Sequence, residues 1–276
     1  MSNKRGLAWF GALIMVAAVG CGGGGESGGG AAAKPAALRP APKAPAASAG
    51  PASAPEGAAA GAATGSSTVK GAVKFEGAAP KRAKIQMAAD PFCQKAHGDA
   101  TSEEVVVNAN GTLKNVFVYV KTGLEGKQYP VPTTPAVIDQ HGCGYMPHVL
   151  GLMAGQSLKI LNSDDTLHNI HALPKLNAQF NLAMPKFLKE KEHTFEKPEV
   201  MIPVKCDVHS WMSSYIGVLS HPYFAVSGDD GSFDLSKLPA GTYTIEAWHE
   251  KYGAQTQQVT VGDGESKEIT FSFKAS

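Results

Sequence analysis

The chain has 276 residues, a hydrophobic content of 43% and a formal net charge of +1. That length is sufficient for one or two all-β domains. The nearly balanced charge gives no indication of a nucleic acid or an acidic partner. The sequence has no haem-attachment motif, Gly-rich phosphate loop or Ser/His/Asp arrangement, so it does not support a haem protein or an ordinary hydrolase.

Residues 1–20 have the features of an export signal, because Lys4 and Arg5 precede the apolar run GLAWFGALIMVAAVG. The run is too short to span a bilayer comfortably. It ends in AVGC, which resembles the lipobox of bacterial lipoproteins, although Ala18 stands where Leu is usual. The resemblance implies a lipid on Cys21 that anchors an exported protein, in the outer membrane or the periplasm of a bacterium. Cleavage of a plain signal, which would give a soluble secreted protein, is the alternative.

Residues 21–66 are rich in Gly, Ala, Pro and Ser and contain few aliphatic side chains larger than Ala. Such a segment cannot bury enough apolar surface to offset its ordering entropy, so it is predicted to be a disordered linker. As a random coil it would span about 37 Å. That reach would let an anchored domain meet its partners.

Residues 67–135 contain several predicted elements. The alternating stretch TVKGAVKF predicts a strand, with Val73 and Phe75 on one face. Asp90 and Pro91 are typical of a helix start, so DPFCQKAH is predicted to form a short helix. EVVVN and NVFVYVK are predicted to be strands. The second is apolar on both faces, which indicates a central strand covered on both sides.

Residues 136–221 contain the stretch with the most specific chemistry. PVKCDVHSWM sets out Cys206, His209 and Met212 with the spacing C-x2-H-x2-M. A thiolate, an imidazole and a thioether together favour copper, and a blue-copper site needs one further imidazole. His168, in LKILNSDDTLHNIH, is the candidate for it.

These two stretches resemble the ligand-bearing strands of the cupredoxins, and the loop has the same residue count as the loop of the amicyanin type. The resemblance implies a Greek-key β-sandwich that binds copper through His168, Cys206 and His209, with Met212 as the axial ligand. It also implies that His209 has one imidazole edge exposed, with Trp211 as a candidate part of an electron-transfer surface beside it, and that Asn169 ties the two ligand loops together. The alternatives are that Trp211 packs in the core or against the loop and that Asn169 only forms a turn. A loop or short helix is expected between residues 173 and 198, by analogy with the same family.

Two alternatives to a copper site stay open. Buried Cys and Met are common in ordinary β-sandwich cores, so a lipoprotein without a metal would have a similar sequence. Zinc is the weaker rival, because a thioether is a poor fourth ligand for it.

Residues 222–276 change in character. The stretch GDDGSFDLSKLPAGTYTIEAWHEKYG resembles the carboxypeptidase regulatory-like, transthyretin-type β-sandwich, and the opening VKGAVKFEG resembles the first strand of that domain. We therefore expect residues 67–135 and 222–276 to form a supporting sandwich, with the cupredoxin-like core at 136–221 inserted between them. One extended sandwich is the alternative, and the fold class is all-β in either case.

The four cysteines can be assigned in one consistent way. If Cys21 carries lipid and Cys206 binds copper, Cys93 and Cys143 remain as a pair. Exported proteins occupy surroundings that permit disulfides. The alternative is a second metal site formed by Cys93, His97 and Cys143. The histidines at 141, 148, 171, 193, 221 and 249 are each expected to be structural or surface residues, although PHV at 147–149 and HPY at 221–223 leave a second site open.

The function predicted from these features is one-electron transfer by an envelope-anchored copper protein that is not an enzyme. Its partner would be a redox protein of the cell envelope. A copper-holding or delivery protein and a copper enzyme with an open coordination position are the alternatives.

Overall fold

The structure of the protein, a computed structural model, describes residues 65–275. The predicted export signal, the predicted lipid attachment site at Cys21 and nearly all of the predicted linker lie outside these residues. The described residues form sixteen strands and one short helix, which confirms the all-β class. In chain order the elements are β1 (Ser67–Glu76), α1 (Pro91–His97), β2 (Phe117–Thr122), β3 (Ala136–His141), β4 (Gly144–Met146), β5 (Val149–Met153), β6 (Ser157–Asn162), β7 (His168–Ala172), β8 (Phe180–Met184), β9 (Glu190–Thr194), β10 (Glu199–Lys205), β11 (Ser213–Leu219), β12 (Phe224–Val226), β13 (Ser232–Leu238), β14 (Gly241–His249), β15 (Gly253–Val261) and β16 (Ser266–Lys274).

The first sandwich is built from the strands at the two ends of the described chain. One sheet has the order β13-β1-β16, with β1 and β16 parallel, and the other has the order β12-β2-β14-β15. Val73 and Phe75 of β1 are buried, as the alternation in their sequence predicted. They share an apolar core with Ile245 of β14 and Phe271 of β16, so the two sheets pack face to face.

The second sandwich is built from the strands between β2 and β12. Its sheets have the orders β4-β3-β6-β9 and β5-β11-β10-β7-β8. Ile138, Ile160 and Ile216 are buried between them. Cys206 and Met212 belong to the same apolar cluster, so these two predicted metal ligands are part of this core.

The two sandwiches meet through the outer face of β2. Phe117 of β2 is fully buried and packs with Phe224 at 5.7 Å between ring centroids. It reaches Gly151 and Gly217, which are register partners on β5 and β11. A Cβ atom at Gly217 would lie 2.5 Å from Phe117, so this contact requires glycine. Phe117, Val118, Tyr119 and Val120 are all buried, which confirms that β2 is a central strand covered on both faces.

Helix α1 forms where the sequence predicted it. The carboxylate of Asp90 accepts hydrogen bonds from the amides of Phe92 at 2.7 Å and Cys93 at 3.0 Å, which is the usual stabilisation of a helix N-terminus. A disulfide joins Cys93 to Cys143 and ties the helix to the second sandwich. Within residues 65–275, no helix has the length and hydropathy that crossing a membrane requires.

Two predictions of local structure were wrong. Residues 104–108 form no strand. Only Val107 pairs with another segment, through an isolated bridge to Leu113, and one bridge is too short to make a strand. Residues 173–198 are not a loop or short helix but contain β8 and β9. Both strands lie at sheet edges, and β9 is a polar EKEHT segment that is largely exposed, so its sequence shows little apolar alternation.

Candidate metal centre

The ligand loop connects β10 to β11 and is closed by its own backbone. The amide of Cys206 donates to the carbonyl of Met212 at 3.3 Å, and the amide of Met212 donates to the carbonyl of His209 at 3.0 Å. The amide of His209 donates to the sulfur of Cys206 at 3.3 Å. Because the turn is this tight, three potential ligand side chains start from one small region.

His168 approaches this loop from a separate part of the chain. It is the first residue of β7, which pairs with β10 through Val204 and Lys205, just before the loop. Its Nδ1 lies 2.9 Å from Nδ1 of His209, and the Cys206 sulfur lies 3.8 Å from the same His209 nitrogen. One ligand atom from each of the three residues lies within 4.8 Å of the others, and all three side chains are buried. The structure therefore brings three of the four predicted ligands together.

Met212 closes the loop and is 2% exposed. Its side chain belongs to the apolar cluster that also contains Cys206. This placement is compatible with an axial thioether, and the ligand role of Met212 stays a prediction.

Each of the two imidazoles is hydrogen-bonded to a carboxylate through its Nε2 atom. His168 Nε2 donates to Asp164 Oδ2 at 2.8 Å, and His209 Nε2 donates to Asp90 Oδ2 at 3.0 Å. These partners were missed in the sequence, where Asp90 was assigned only as a helix cap. Asp164 lies four residues before His168, but i,i+4 spacing in a turn carries no specific signal. Metal-binding histidines usually donate their second nitrogen in this way.

The resulting tautomers decide what the centre can hold. An imidazole that donates from Nε2 and is neutral presents a lone pair at Nδ1. Here two such lone pairs, from His168 and His209, face each other at 2.9 Å beside the Cys206 sulfur. A cation is needed between them, either a proton or a metal. Two imidazole nitrogens and a thiol match the donor set of a blue-copper site, so these residues fit copper.

The electrostatics favour the protonation states that a metal needs at Cys206 and His209, whereas His168 favours a proton that a metal would have to displace. Burial would raise the pKa of the Cys206 thiol, but hydrogen bonds from His168 and from backbone amides outweigh it and lower that pKa, which favours the thiolate. Burial lowers the pKa of His209 more than Asp90 raises it, so this imidazole stays neutral. For His168 burial is outweighed by the hydrogen bonds with Asp164 and Cys206, and the pKa is raised.

Asn169 ties the two ligand segments together, as the sequence predicted. Its Oδ1 accepts from the amides of Asp207 at 2.7 Å and Val208 at 3.3 Å, and it lies 3.2 Å from the sulfur of Cys206. Its Nδ2 donates to Asn181 of β8. The side chain after one ligand therefore fixes the loop that carries the other ligands.

The predicted exposure of His209 was wrong. Its side chain is 2% exposed, because Asp90 at the start of α1 lies over Nε2 and Trp211 lies against the ring at 4.9 Å between centroids. Trp211 in turn donates from Nε1 to the carbonyl of Cys143 at 3.1 Å. The segment that covers His209 thus belongs to the disulfide-linked helix, which neither ligand motif contains.

The remaining histidines do not form a second metal site among the described residues. Cys93 and Cys143 are joined by a disulfide, which rules out the alternative site with His97. His148 pairs with Glu250, and the ring of His221 accepts the amide of Tyr223. Within residues 65–275, neither histidine belongs to a cluster of three metal-binding side chains.

Comparisons with known proteins match only parts of the chain. A family model described as the carboxypeptidase regulatory-like domain matches residues 218–274, which contain β12 to β16. No curated protein matches the chain.

Three of the solved structures that resemble the chain match about a third of its length. They are a Cu-containing nitrite reductase from Thermus scotoductus SA-01 (21% identity, TM-score 0.27, 34% of this chain and 24% of that one), a novel purple cupredoxin from Nitrosopumilus maritimus (23%, 0.26, 30% and 98%) and the oxidised state of an amicyanin mutant (21%, 0.28, 30% and 81%). The chain spans about a quarter of the nitrite reductase. All three TM-scores are below 0.3, so the similarity to cupredoxins is weak.

Proposed function

We propose that the protein is an exported, membrane-anchored type 1 copper protein that carries single electrons. One observation carries the proposal: a buried thiol and two buried imidazole nitrogens converge within 4.8 Å, and each imidazole is held by a carboxylate on its other nitrogen. His168, Cys206 and His209 would hold copper, with Met212 as the axial ligand. Bound copper would supply the Cu(II)/Cu(I) couple.

The surroundings of the site support electron transfer rather than catalysis. A one-electron carrier needs ligands that move little when the charge of the ion changes. The backbone bonds of the 206–212 loop, the three contacts of Asn169 Oδ1 and the two carboxylates restrain the ligands here. His168, Cys206 and His209 are each at most 2% exposed, so a substrate has no direct access to these three side chains.

Copper holding or delivery is the second candidate, and one feature favours it. A cavity of about 390 Å³ is lined by Trp211, Met212, His148 and the 102–104 segment. It lies beside the only thioether of the predicted ligand set, so an ion could be exchanged through it. A copper enzyme would need the same opening to admit a substrate.

The test of the proposed site is the addition of Cu(II) to the purified protein, followed by visible absorption and EPR spectra. We expect an intense thiolate-to-copper band that is absent in Cys206→Ser. The matched control is His249→Gln, which changes a buried histidine of the first sandwich and should keep the band. A colourless sample with an ordinary EPR spectrum would remove the electron-transfer function.

The candidates are separated by Met212→Leu. A carrier should retain copper with an altered reduction potential, whereas a delivery protein should mainly lose affinity for Cu(I). Binding of azide to the oxidised metal would favour the enzyme over both. The predicted lipid on Cys21 would hold the protein in the membrane fraction, where its redox partner would lie, and Cys21→Ser should release it to the soluble fraction.

A further inference from the structure

We propose that Asp90 and Asp164 are positioning residues, which fix the orientation of the two imidazoles and lower the reduction potential of copper bound between them. The proposal rests on the copper site proposed above and adds residues that neither ligand motif contains. Both carboxylates are in direct hydrogen-bond contact with an imidazole, at 3.0 Å for Asp90 and 2.8 Å for Asp164.

Asp164 is held on both of its oxygens. Oδ1 accepts from the amide of Gly142 at 3.0 Å, and Oδ2 accepts from the amide of Cys143 at 2.8 Å as well as from His168 Nε2. Its side chain is 3% exposed. A carboxylate that is fixed in this way cannot rotate away, so the ring of His168 is held with Nδ1 toward the thiol of Cys206.

Asp90 orients the ring of His209 in the same way, although Asp90 lies outside the ligand loops. Its Oδ1 caps helix α1, while Oδ2 accepts from His209 Nε2 and from the hydroxyl of Thr166, both at 3.0 Å. Thr166 lies two residues before His168. Asp90 therefore joins the helix, the ligand loop and the approach to the other ligand strand.

The Cys93–Cys143 disulfide connects the two carboxylates. Cys93 is three residues from Asp90 in α1, and the amide of Cys143 is one of the donors to Asp164. The sulfur of each cysteine lies within 4.8 Å of a carboxylate oxygen and an imidazole nitrogen on its own side. The disulfide thus fixes the distance between the two positioning residues.

The sign of the effect on the potential follows from charge. Reduction removes one positive charge from the ion, and nearby buried negative charges stabilise the more positive state in a low-dielectric site. Two carboxylates behind the imidazoles therefore favour Cu(II). Replacing either one with the neutral amide should raise the potential.

The experiment measures reduction potentials of copper-loaded Asp164→Asn and Asp90→Asn by redox titration of the visible band. We expect each variant to shift the Cu(II)/Cu(I) equilibrium toward Cu(I) by at least tenfold, about 59 mV for a one-electron couple. Asp165→Asn is the matched control, because its side chain is 81% exposed next to Asp164 and should shift the equilibrium much less.

Three outcomes are distinguishable. A wild-type protein without a thiolate-to-copper band would refute the copper site itself. Variants that keep the band but have the potential of Asp165→Asn would overturn the role of the carboxylates. If the variants do not fold, the long-range ¹H–¹⁵N spectrum of the wild-type Cu(I) protein shows which ring nitrogens carry the protons. Protonated Nε2 on both His168 and His209 supports the positioning role. Protonated Nδ1 on either histidine contradicts it.

Discussion

Both sandwiches bury histidines, and one pair from each, His221 with His249 and His168 with His209, has different surroundings. In the first, the ring of His249 accepts the backbone amides of Lys251 and Tyr252, and the ring of His221 accepts the amide of Tyr223. Burial lowers the pKa of both to about 4. In the second, His168 and His209 are also buried, but each has a carboxylate on Nε2 and faces a thiol with Nδ1.

The difference shows that burial alone does not make a ligand. A neutral buried histidine whose ring nitrogen accepts a backbone amide is part of the packing. In the other pair, each Nε2 atom donates to a carboxylate and the two Nδ1 atoms face each other, so a cation can bind between them. The first pair lies within the residues that match the carboxypeptidase regulatory-like domain, and the second pair lies outside that match.

Among the substitutions, removal of the disulfide should have the largest effect on stability, and it should act on the second sandwich. Closing a loop of 50 residues stabilises by about 4 kcal/mol on the chain-entropy model. We expect Cys93→Ala with Cys143→Ala to lower the free energy of unfolding in urea by about that amount. The same variant should release α1 from His209, so azide should bind the oxidised copper in it but not in the wild type. Unchanged stability and unchanged azide exclusion would show that α1 is held by other contacts.

Acidification should lower the stability of the fold most strongly through the first sandwich, which contains the two histidines with the largest pKa shifts. His221 and His249 have pKa values of about 4 in the folded state and ordinary values near 6.5 when unfolded, so the unfolded state binds more protons between these limits. Their contribution to the free energy of unfolding is present above pH 6.5. It is lost as the pH falls toward 4, by about 3 kcal/mol in full for each histidine. Urea unfolding of the copper-free protein at pH 7 and pH 5 measures the part of this loss that falls above pH 5.

The control for this pH dependence is His249→Gln, which should unfold with a smaller loss of stability between pH 7 and pH 5 than the wild type. An equal loss in both proteins would mean that His249 is not protonated on unfolding in this range, and the contrast between the two histidine pairs would fail.

Loss of Asn169 should act on the second sandwich alone. Its Oδ1 accepts two amides of the ligand loop, and removal of such a partner typically lowers metal affinity by about 10–100-fold. We expect Asn169→Ala to weaken Cu(I) binding by that factor in competition with a chelator. Asn177→Ala is the control, because its side chain bonds to Lys197 and Glu199 instead. Equal affinities for the two variants would contradict the role of Asn169.

The contact between the sandwiches is tested by Gly217→Ala. The new methyl group would lie 2.5 Å from the buried ring of Phe117, and overpacking of this kind costs roughly 1–3 kcal/mol. Thermal unfolding should show the loss. Gly228→Ala should be nearly neutral by comparison, because the nearest atom to its new methyl lies 4.0 Å away. A neutral Gly217→Ala would show that β2 can move away from β5 and β11.

Much of the architecture could be predicted from local patterns. Asp90 and Pro91 predicted α1, and the apolar residues on both faces of 116–120 predicted a central strand, because caps and side-chain alternation act over a few residues. β8 and β9 could not be predicted in this way. Half-exposed edge strands tolerate polar residues, so their sequences carry little signal.

The sequence by itself determined the donor set: one loop supplies a thiol, an imidazole and a thioether at fixed spacing, and His168 follows a recognisable strand. Tertiary structure decided that His209 is covered, that Asp90 and Asp164 stand behind the two rings, and that a disulfide links those carboxylates. The reason is distance along the chain. Asp90 lies 119 residues from the histidine it contacts, and a hydrogen bond of that span leaves no periodicity or spacing in either segment.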